Sequence, residues 1–284
     1  MPSNFIKNLD DIQSYWNKET MIFTNQESLH FSLPSASQLI SSLLGNYDNK
    51  NWNEPLNVNI NASKINFQGS HQQFSAIEID AARSYYHDGF TLCFGDLSIE
   101  IKKITDFKNQ IINFFGCGDL ISITSYLSPP KAIGVLHYDY QHNFFIQREG
   151  IKRWFVSEIA AIPNPYQNLV YTGLDQAFFD EMKSRGYEIS LPRDCGKKIY
   201  ELHPGDVLYV PPGFYHSPET LNEPSLHYTL TVEPACFWKD FNSDMFNKML
   251  SSQGKFLMDY RFFTDDQKLK LINDCLAHVS SNVK

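Results

Sequence analysis

Short segments with the character of β-strands, each ended by a proline or glycine turn, fill the second half of this 284-residue chain. Turns of this kind stand at Pro129-Pro130, Pro204-Gly205 and Pro211-Pro212-Gly213. Proline and glycine end a strand because the first cannot donate to the ladder and the second weakens it. The predicted strands cover residues 121–127, 143–147, 152–157, 197–202, 206–210 and 226–232. Many short strands with this punctuation predict a barrel or jelly roll.

Segments with helical spacing of apolar residues lie on both sides of the predicted barrel. Before it, helices are predicted at 9–16, 35–44, 77–86 and 106–115, strands at 21–23, 56–60 and 90–94, and a polar loop at 46–54. A helix at 175–186 interrupts the strands, and helices at 238–250 and 265–278 follow them. We therefore predict a mainly β protein with flanking α-helices. Its N-terminal α/β region covers 1–118, its barrel core 119–235 and its C-terminal helical segment 236–284.

Composition limits the classes of partner. The formal net charge of −8 argues against nucleic-acid binding, because phosphate contacts need clustered Lys and Arg. The five cysteines (Cys93, Cys117, Cys195, Cys236 and Cys275) are scattered and odd in number, which is typical of reduced thiols in a cytoplasmic protein. The chain starts without an apolar signal segment and has no uncharged apolar run of membrane-spanning length. We expect a cytoplasmic protein that binds neither membrane nor nucleic acid.

The pattern His137-Tyr138-Asp139 places two metal-binding residue types two positions apart. In extended backbone such residues point to the same face, so the imidazole and the carboxylate can reach one ion. His216, just after the turn Pro211-Pro212-Gly213, could complete a 2-His-1-carboxylate triad with an open coordination face. That arrangement is typical of non-haem Fe(II) oxygenases. The alternative is that these are ordinary hydrogen-bonded histidines beside a chance His-x-Asp pair.

Oxygenases of this kind need a cosubstrate that supplies two electrons, and 2-oxoglutarate can chelate iron through its 2-oxo and carboxylate oxygens. Its distal carboxylate must then meet a cation inside the barrel, because a buried unpaired carboxylate is very costly. Lys152, on a predicted strand among aromatic residues, is the candidate cation. The alternative is that Lys152 faces solvent, as most lysines do.

Two long motifs resemble the JmjC-type 2-oxoglutarate oxygenases. They are residues 137–154 and residues 202–216, the second ending in Val210-Pro211-Pro212-Gly213-Phe214-Tyr215-His216. Within that family the chain is similar to the asparaginyl hydroxylase of hypoxia-inducible factor and to the ribosomal-protein hydroxylases. The resemblance covers about residues 10–235 and implies a double-stranded β-helix, the jelly roll of the cupin and JmjC proteins.

Carried over position by position, the resemblance implies a set of site residues. His137, Asp139 and His216 would bind Fe(II), and Lys152 would bind the distal carboxylate of 2-oxoglutarate. Further contacts to 2-oxoglutarate are expected from Asn143, Thr231, Thr124 and Tyr126. O₂ would be the second cosubstrate.

The resemblance implies hydroxylation of a C–H bond, and a peptide or protein side chain is the expected substrate. A small metabolite or biosynthetic peptide, N-methyl demethylation, and a metal-binding cupin-like module without turnover are the alternatives. About fifty residues follow the predicted barrel, and a homodimer through C-terminal helices is weighed against a monomer with a helical cap. The insertion at 159–198 either lines the substrate entrance or is a surface excursion.

Overall fold

Two antiparallel β-sheets form the centre of the molecule. The computed structural model describes residues 12–26, 33–43, 58–66, 70–97, 101–115, 121–173, 176–184, 188–235 and 258–281. The strands are β1 (Met21–Phe23), β2 (Ile60–Ile65), β3 (His71–Phe74), β4 (Thr91–Phe94), β5 (Ile121–Ser128), β6 (His137–Tyr138), β7 (His142–Glu149), β8 (Lys152–Val156), β9 (Leu169–Val170), β10 (Lys198–Leu202), β11 (Val207–Val210), β12 (His216–Thr220) and β13 (Ser225–Val232). The helices are α1 (Ile12–Tyr15), α2 (Ala36–Leu43), α3 (Ile79–His87), α4 (Lys102–Phe115), α5 (Gln176–Ser184) and α6 (Asp265–Ser281), and a 3₁₀ turn covers Pro192–Asp194.

The order of the strands confirms the predicted jelly roll. In the larger sheet it is β1-β11-β7-β13-β5-β4-β2-β3, and in the smaller sheet it is β10-β8-β12-β6-β9. Strands from the predicted N-terminal region thus extend the same sheet as the barrel strands. The domain boundaries at 118/119 and 235/236 stay a prediction.

On the central strands of the larger sheet, successive side chains alternate between the main apolar core and the space between the two sheets. On β13, Leu226, Tyr228, Leu230 and Val232 are buried in the main apolar core, on the side that helix α4 covers. The intervening His227, Thr229 and Thr231 line the space between the two sheets. This follows from the period of two of a strand, which sends successive side chains to opposite faces.

The outer side of the larger sheet is sealed by an amphipathic helix. Helix α4 places Ile104, Phe107 and Ile111 in the main core at helical spacing. The predicted helix at 106–115 is therefore real but begins earlier, at Lys102, since Ile104 adds one more turn to its apolar stripe.

Between the sheets, one end is packed with apolar side chains. Phe145 and Trp154 stack there with ring centroids 3.9 Å apart, and Val156, Leu208 and Val210 join them in a buried cluster. This cluster closes the barrel on one side and leaves the other side free for polar residues.

Several strands are not among those predicted from the sequence. β6 and β9 contain two residues each, β3 is the polar segment His-Gln-Gln-Phe, and β12 carries Pro218. Such segments lack the apolar run or alternation from which a strand is recognised. The strand predicted at 56–60 runs instead over Ile60–Ile65, and residues 56 and 57 lie outside the described residues.

Some predictions fall on parts of the chain outside the described residues. These include the loop at 46–54, the helix at 238–250, Cys117 and Cys236. The homodimer through the C-terminal helices consequently stays a prediction. Among the helices that the structure describes, none has the length and apolar character needed to cross a membrane.

We expect Gly150, in the hairpin between β7 and β8, to be intolerant of alanine. Its φ of +65° is left-handed, and a Cβ there would collide with the carbonyl oxygen of Pro224. Gly89 also has a positive φ, +89°, but a Cβ there meets nothing within 4 Å. Gly89→Ala should therefore cost about 1–2 kcal/mol of unfolding free energy from backbone strain alone. Gly150→Ala should cost clearly more in urea unfolding.

Equal losses for the two variants would contradict the collision at Gly150 and leave backbone strain as the whole effect.

Candidate active site

A cavity of about 430 Å³ lies between the two sheets and is lined by residues from both. His137, Asp139 and His216 line it, and so do Lys152, Asn143, Thr231 and Tyr126. The structure thus brings seven of the eight residues predicted from the sequence into one chamber. Thr124 lies on β5 opposite Thr229, half-buried, and is not part of the cavity lining.

The three candidate metal ligands converge because β6 pairs with β12. His137 and His216 are directly opposite each other in that pairing, with ring centroids 4.2 Å apart. Asp139 follows β6, and its Oδ2 lies 3.7 Å from Nε2 of His137 and 3.4 Å from Nε2 of His216. The three ligand atoms all lie within 4.8 Å of one another, so His137, Asp139 and His216 would be the residues that hold a metal ion.

Both histidines are fixed at Nδ1 so that their Nε2 atoms lie towards the carboxylate of Asp139. Nδ1 of His137 lies 2.9 Å from the carbonyl oxygen of Val135, and Nδ1 of His216 lies 3.0 Å from that of Phe214. A carbonyl oxygen can only accept, so each Nδ1 carries a proton, and in its neutral form each ring has its lone pair on Nε2. Nε2 of His216 is buried without a hydrogen-bond partner. Two lone pairs that face a carboxylate fit a divalent cation between them.

The pKa shifts of His137 and Asp139 agree with that donor set. Burial and the neighbouring His216 lower the pKa of His137, so its ring is neutral near pH 7. Burial by itself would raise the pKa of Asp139, but His137, His216 and a hydrogen bond from Asn143 lower it to about 2. An ionised carboxylate and neutral imidazoles are the forms that bind metal.

Asn143 and Thr231 form a short hydrogen-bonded chain that ends on the carboxylate. They are opposite each other on β7 and β13, and Thr231 Oγ1 donates to Asn143 Oδ1 at 3.0 Å. Asn143 Nδ2 then donates to Asp139 Oδ2 at 2.6 Å. Such partners fix the orientation of a metal ligand. Contacts from these two residues to 2-oxoglutarate stay a prediction.

Lys152 is buried inside the barrel and does not face solvent. It is 1% exposed, and its Nζ lies 2.9 Å from Ser128 Oγ and 2.9 Å from His227 Nδ1. Burial lowers its pKa to about 7, and no carboxylate in the described part of the chain compensates its charge. An uncompensated buried ammonium is costly, so an anion that paired with Lys152 would stabilise its charged form.

Tyr126 forms part of the wall beside this lysine. Its ring stacks on His227 with centroids 4.9 Å apart. It also hydrogen-bonds with Cys93 of β4, which is directly opposite it in the pairing of β4 with β5. The Cys93 thiol and burial raise the pKa of Tyr126 well above its usual range, so the phenol keeps its proton.

Sequence reasoning missed two residues that contact Lys152, namely Ser128 and His227. The signal that could have found them is strand alternation. Ser128 is two positions from Tyr126 on β5, and His227 is four positions from Thr231 on β13. Residues at even spacing share a face, so a prediction that places Tyr126 and Thr231 inside the barrel also places these two there.

The lining of the cavity includes exposed apolar residues as well as polar ones. Ile133 and Val170 are exposed, at 51% and 37%. Lys64, His71 and Gln73 line it from the hairpin of β2 and β3. Asn168 and Val170 belong to the insertion at 159–198, so part of that insertion lines the cavity, and its role at a substrate entrance stays a prediction.

Comparison with known proteins supports the resemblance. Residues 98–237 match the family described as JmjC domain. The chain is 26% identical over 226 residues to the bifunctional lysine-specific demethylase and histidyl-hydroxylase NO66 of Drosophila mojavensis, which covers 78% of this chain and 23% of that protein. It is 32% identical over 128 residues to ribosomal oxygenase 1 of Homo sapiens, which covers 44% of this chain and 18% of that protein. The alignments thus span about a quarter or less of these relatives.

A solved structure shares the fold. The ribosomal oxygenase YcfD of Escherichia coli, in complex with cobalt and 2-oxoglutarate, matches with a TM-score of 0.55 and 17% identity over 97% of this chain and 67% of that chain. At this level of identity the likeness concerns the fold, and it agrees with the jelly roll described above.

We expect His216→Ala to abolish tight binding of a divalent metal, measured by calorimetry with Co²⁺. Loss of a residue that merely orients a ligand costs about 10- to 100-fold in affinity, so loss of a ligand should cost more. Asn143→Ala should show that smaller effect, because it removes a hydrogen bond to Asp139 and no ligand.

His71→Ala, which removes a histidine from the cavity lining, is the control and should bind Co²⁺ normally. Wild-type affinity in His216→Ala would contradict the proposed ligand set.

Proposed function

We propose that residues 98–237, which match the JmjC domain family, act as an Fe(II)- and 2-oxoglutarate-dependent oxygenase that hydroxylates a C–H bond of a peptide or protein side chain. The observation that carries the proposal is the convergence of two Nε2 lone pairs and one ionised carboxylate at one part of a cavity that also holds a buried lysine. A 2-His-1-carboxylate set with open positions is the ligand set of non-haem Fe(II) oxygenases.

Hydroxylation of a C–H bond uses O₂ and 2-oxoglutarate as the two co-reactants. With Fe(II) bound, one oxygen atom of O₂ enters the substrate C–H bond and the other enters 2-oxoglutarate, which leaves as succinate and CO₂. His137, Asp139 and His216 would hold the iron. The protein otherwise contributes binding, orientation and the exclusion of water.

The cosubstrate would lie along the length of the cavity. Its distal carboxylate would accept hydrogen bonds from the Lys152 ammonium and the Ser128 hydroxyl, which are already within 2.9 Å of each other. Phe145 and Trp154, stacked at 3.9 Å, form an apolar wall that keeps water from this region. Asn143 would keep the Asp139 carboxylate in one orientation throughout turnover.

A peptide or protein substrate is favoured by the composition of the cavity. Its lining includes the apolar residues Ile133 and Val170 as well as the polar residues Lys64, His71 and Gln73. An extended chain with both apolar and polar groups can contact both kinds of residue at once. The names of the relatives, a histidyl-hydroxylase and a ribosomal oxygenase, point to protein substrates for those proteins.

A cytoplasmic location is part of the proposal. It is supported by the free thiols of Cys93 and Cys195, since reduced cysteines are typical of proteins from reducing compartments.

The test of the function is turnover of 2-oxoglutarate with Fe(II), ascorbate and peptide pools. We expect succinate to form and one peptide to gain the mass of one oxygen atom, and His137→Ala should lose both signals because the ion loses a ligand. Tyr228→Phe, altered on the outer face of β13, is the matched control and should keep both.

A peptide that loses the mass of a methylene group would identify N-methyl demethylation instead. Absence of any turnover in the wild-type protein, with metal and 2-oxoglutarate bound, would favour a binding module.

We expect the affinity for 2-oxoglutarate to fall as the pH rises above 7. Lys152 has a pKa of about 7 in the free protein, and a bound carboxylate would raise it. Below that pH the lysine is already charged, whereas above it binding must take up a proton. Affinity measured by calorimetry with Mn²⁺ should therefore weaken about tenfold from about pH 6 to about pH 8.

Lys152→Met is the comparison, because it keeps the length of the side chain without its charge. It should bind 2-oxoglutarate about 10- to 100-fold more weakly at pH 6 and show no such pH dependence. A wild-type pH dependence that persists in this variant would assign the titration to another group.

A further inference from the structure

Lys152 is held by side chains from the opposite sheet. The lysine begins β8 in the smaller sheet, whereas Ser128 ends β5 and His227 lies on β13, both in the larger sheet. The two contacts at 2.9 Å therefore cross the interior of the barrel. Because Lys152 has a long, flexible stem, its direction depends on these two partners.

The ring of His227 is fixed on several sides. It stacks on Tyr126 with an interplanar angle of 5° and meets Trp154 edge-on, with centroids 5.3 Å apart at 88°. The register of β13 against β7 shifts between Leu226 and His227. Gln147 of β7 is opposite His227, and the extra residue at the shift is Arg148 of β7.

The hydrogen bond between the two residues has one allowed direction when Lys152 is charged. The lysine ammonium then has three donors and no acceptor, so Nδ1 of His227 accepts and the proton of the neutral ring is on Nε2. Burial and the adjacent Lys152 hold the pKa of His227 well below its usual range, which keeps the ring neutral. His227 thus offers Lys152 an acceptor without offering it a counter-ion.

The Lys152 ammonium has one more N–H group than these two partners use. Ser128 and His227 take two of the three ammonium N–H groups, and one remains for a ligand in the cavity. Ser128 Oγ also accepts a hydrogen bond from Thr91 Oγ1 at 3.1 Å, so its own hydroxyl hydrogen remains to donate. The two free hydrogens are suited to the two oxygens of one carboxylate.

We propose that His227 is a positioning residue that aims the third N–H of Lys152 at the distal carboxylate of 2-oxoglutarate by accepting a hydrogen bond at Nδ1. The inference rests on the proposed function, since it assigns a role in binding the cosubstrate of that site. It differs from a packing role, in which the flat ring alone would matter for its contacts with Tyr126 and Trp154.

Two substitutions test the hydrogen-bond acceptor and the aromatic ring of His227 independently. His227→Phe keeps a flat ring of similar size and loses the acceptor. His227→Asn loses the ring but can place its Oδ1 close to the position of the imidazole Nδ1. We expect His227→Phe to bind 2-oxoglutarate about 10- to 100-fold more weakly than wild type, and His227→Asn to stay within about tenfold of wild type.

The measurement is calorimetric affinity with Mn²⁺ bound, for 2-oxoglutarate and for 2-oxopentanoate, which lacks the distal carboxylate. The loss in His227→Phe should appear with 2-oxoglutarate and be absent with 2-oxopentanoate, because only the first ligand contacts Lys152. Tyr228→Phe on the opposite face of β13 is the control and should match wild type with both ligands.

Equal affinities of His227→Phe and wild type for 2-oxoglutarate would overturn the proposal, and so would an equal loss with both ligands. Should His227→Asn fail to fold in thermal unfolding, His227→Phe against wild type decides alone. If the wild-type protein itself binds Mn²⁺ but no 2-oxoglutarate, it is the proposed function that fails.

Discussion

Side chains along β5, β7 and β13 point alternately to the two faces of the larger sheet, and both the core and the cavity depend on this alternation. Each strand sends one row of apolar side chains to the core under α4 and the other row into the space between the sheets. Burial of the apolar row on the helix side stabilises the fold through the hydrophobic effect. The inner row is therefore free to carry polar groups such as Asn143, His227 and Thr231, which an apolar core could not accept without cost.

The cavity between the sheets has opposite hydrogen-bonding character at two places. Where β6 and β12 meet, two histidines and a carboxylate lie together, a set that suits a cation. Around Lys152, hydrogen-bond donors predominate, a set that suits an anion. A metal ion and a dicarboxylate that chelates it would complete both clusters with one set of ligands. The proposed function follows from this complementarity as much as from the triad itself.

Much of the fold could be predicted from the sequence, because long strands with apolar rows and helices with apolar stripes leave periodic signals. β5, β7, β11 and β13 and the helix α4 are recognisable in this way. The strands that carry His137 and His216 are not, since β6 has two residues and β12 contains Pro218. Their extended form depends on pairing with neighbours that are distant in the sequence.

The sequence by itself determined which chemical groups are available: the His-x-Asp pair, the histidine after the Pro-Pro-Gly turn and a lysine fifteen positions beyond the first histidine. Tertiary structure decided what each group does. The carbonyls of Val135 and Phe214 direct the lone pairs of His137 and His216 inward. The contact across the barrel makes His227 an acceptor for Lys152. Hydrogen-bond direction depends on which atoms meet, and in this barrel the closest partners of Lys152 come from strands that are far apart in the chain.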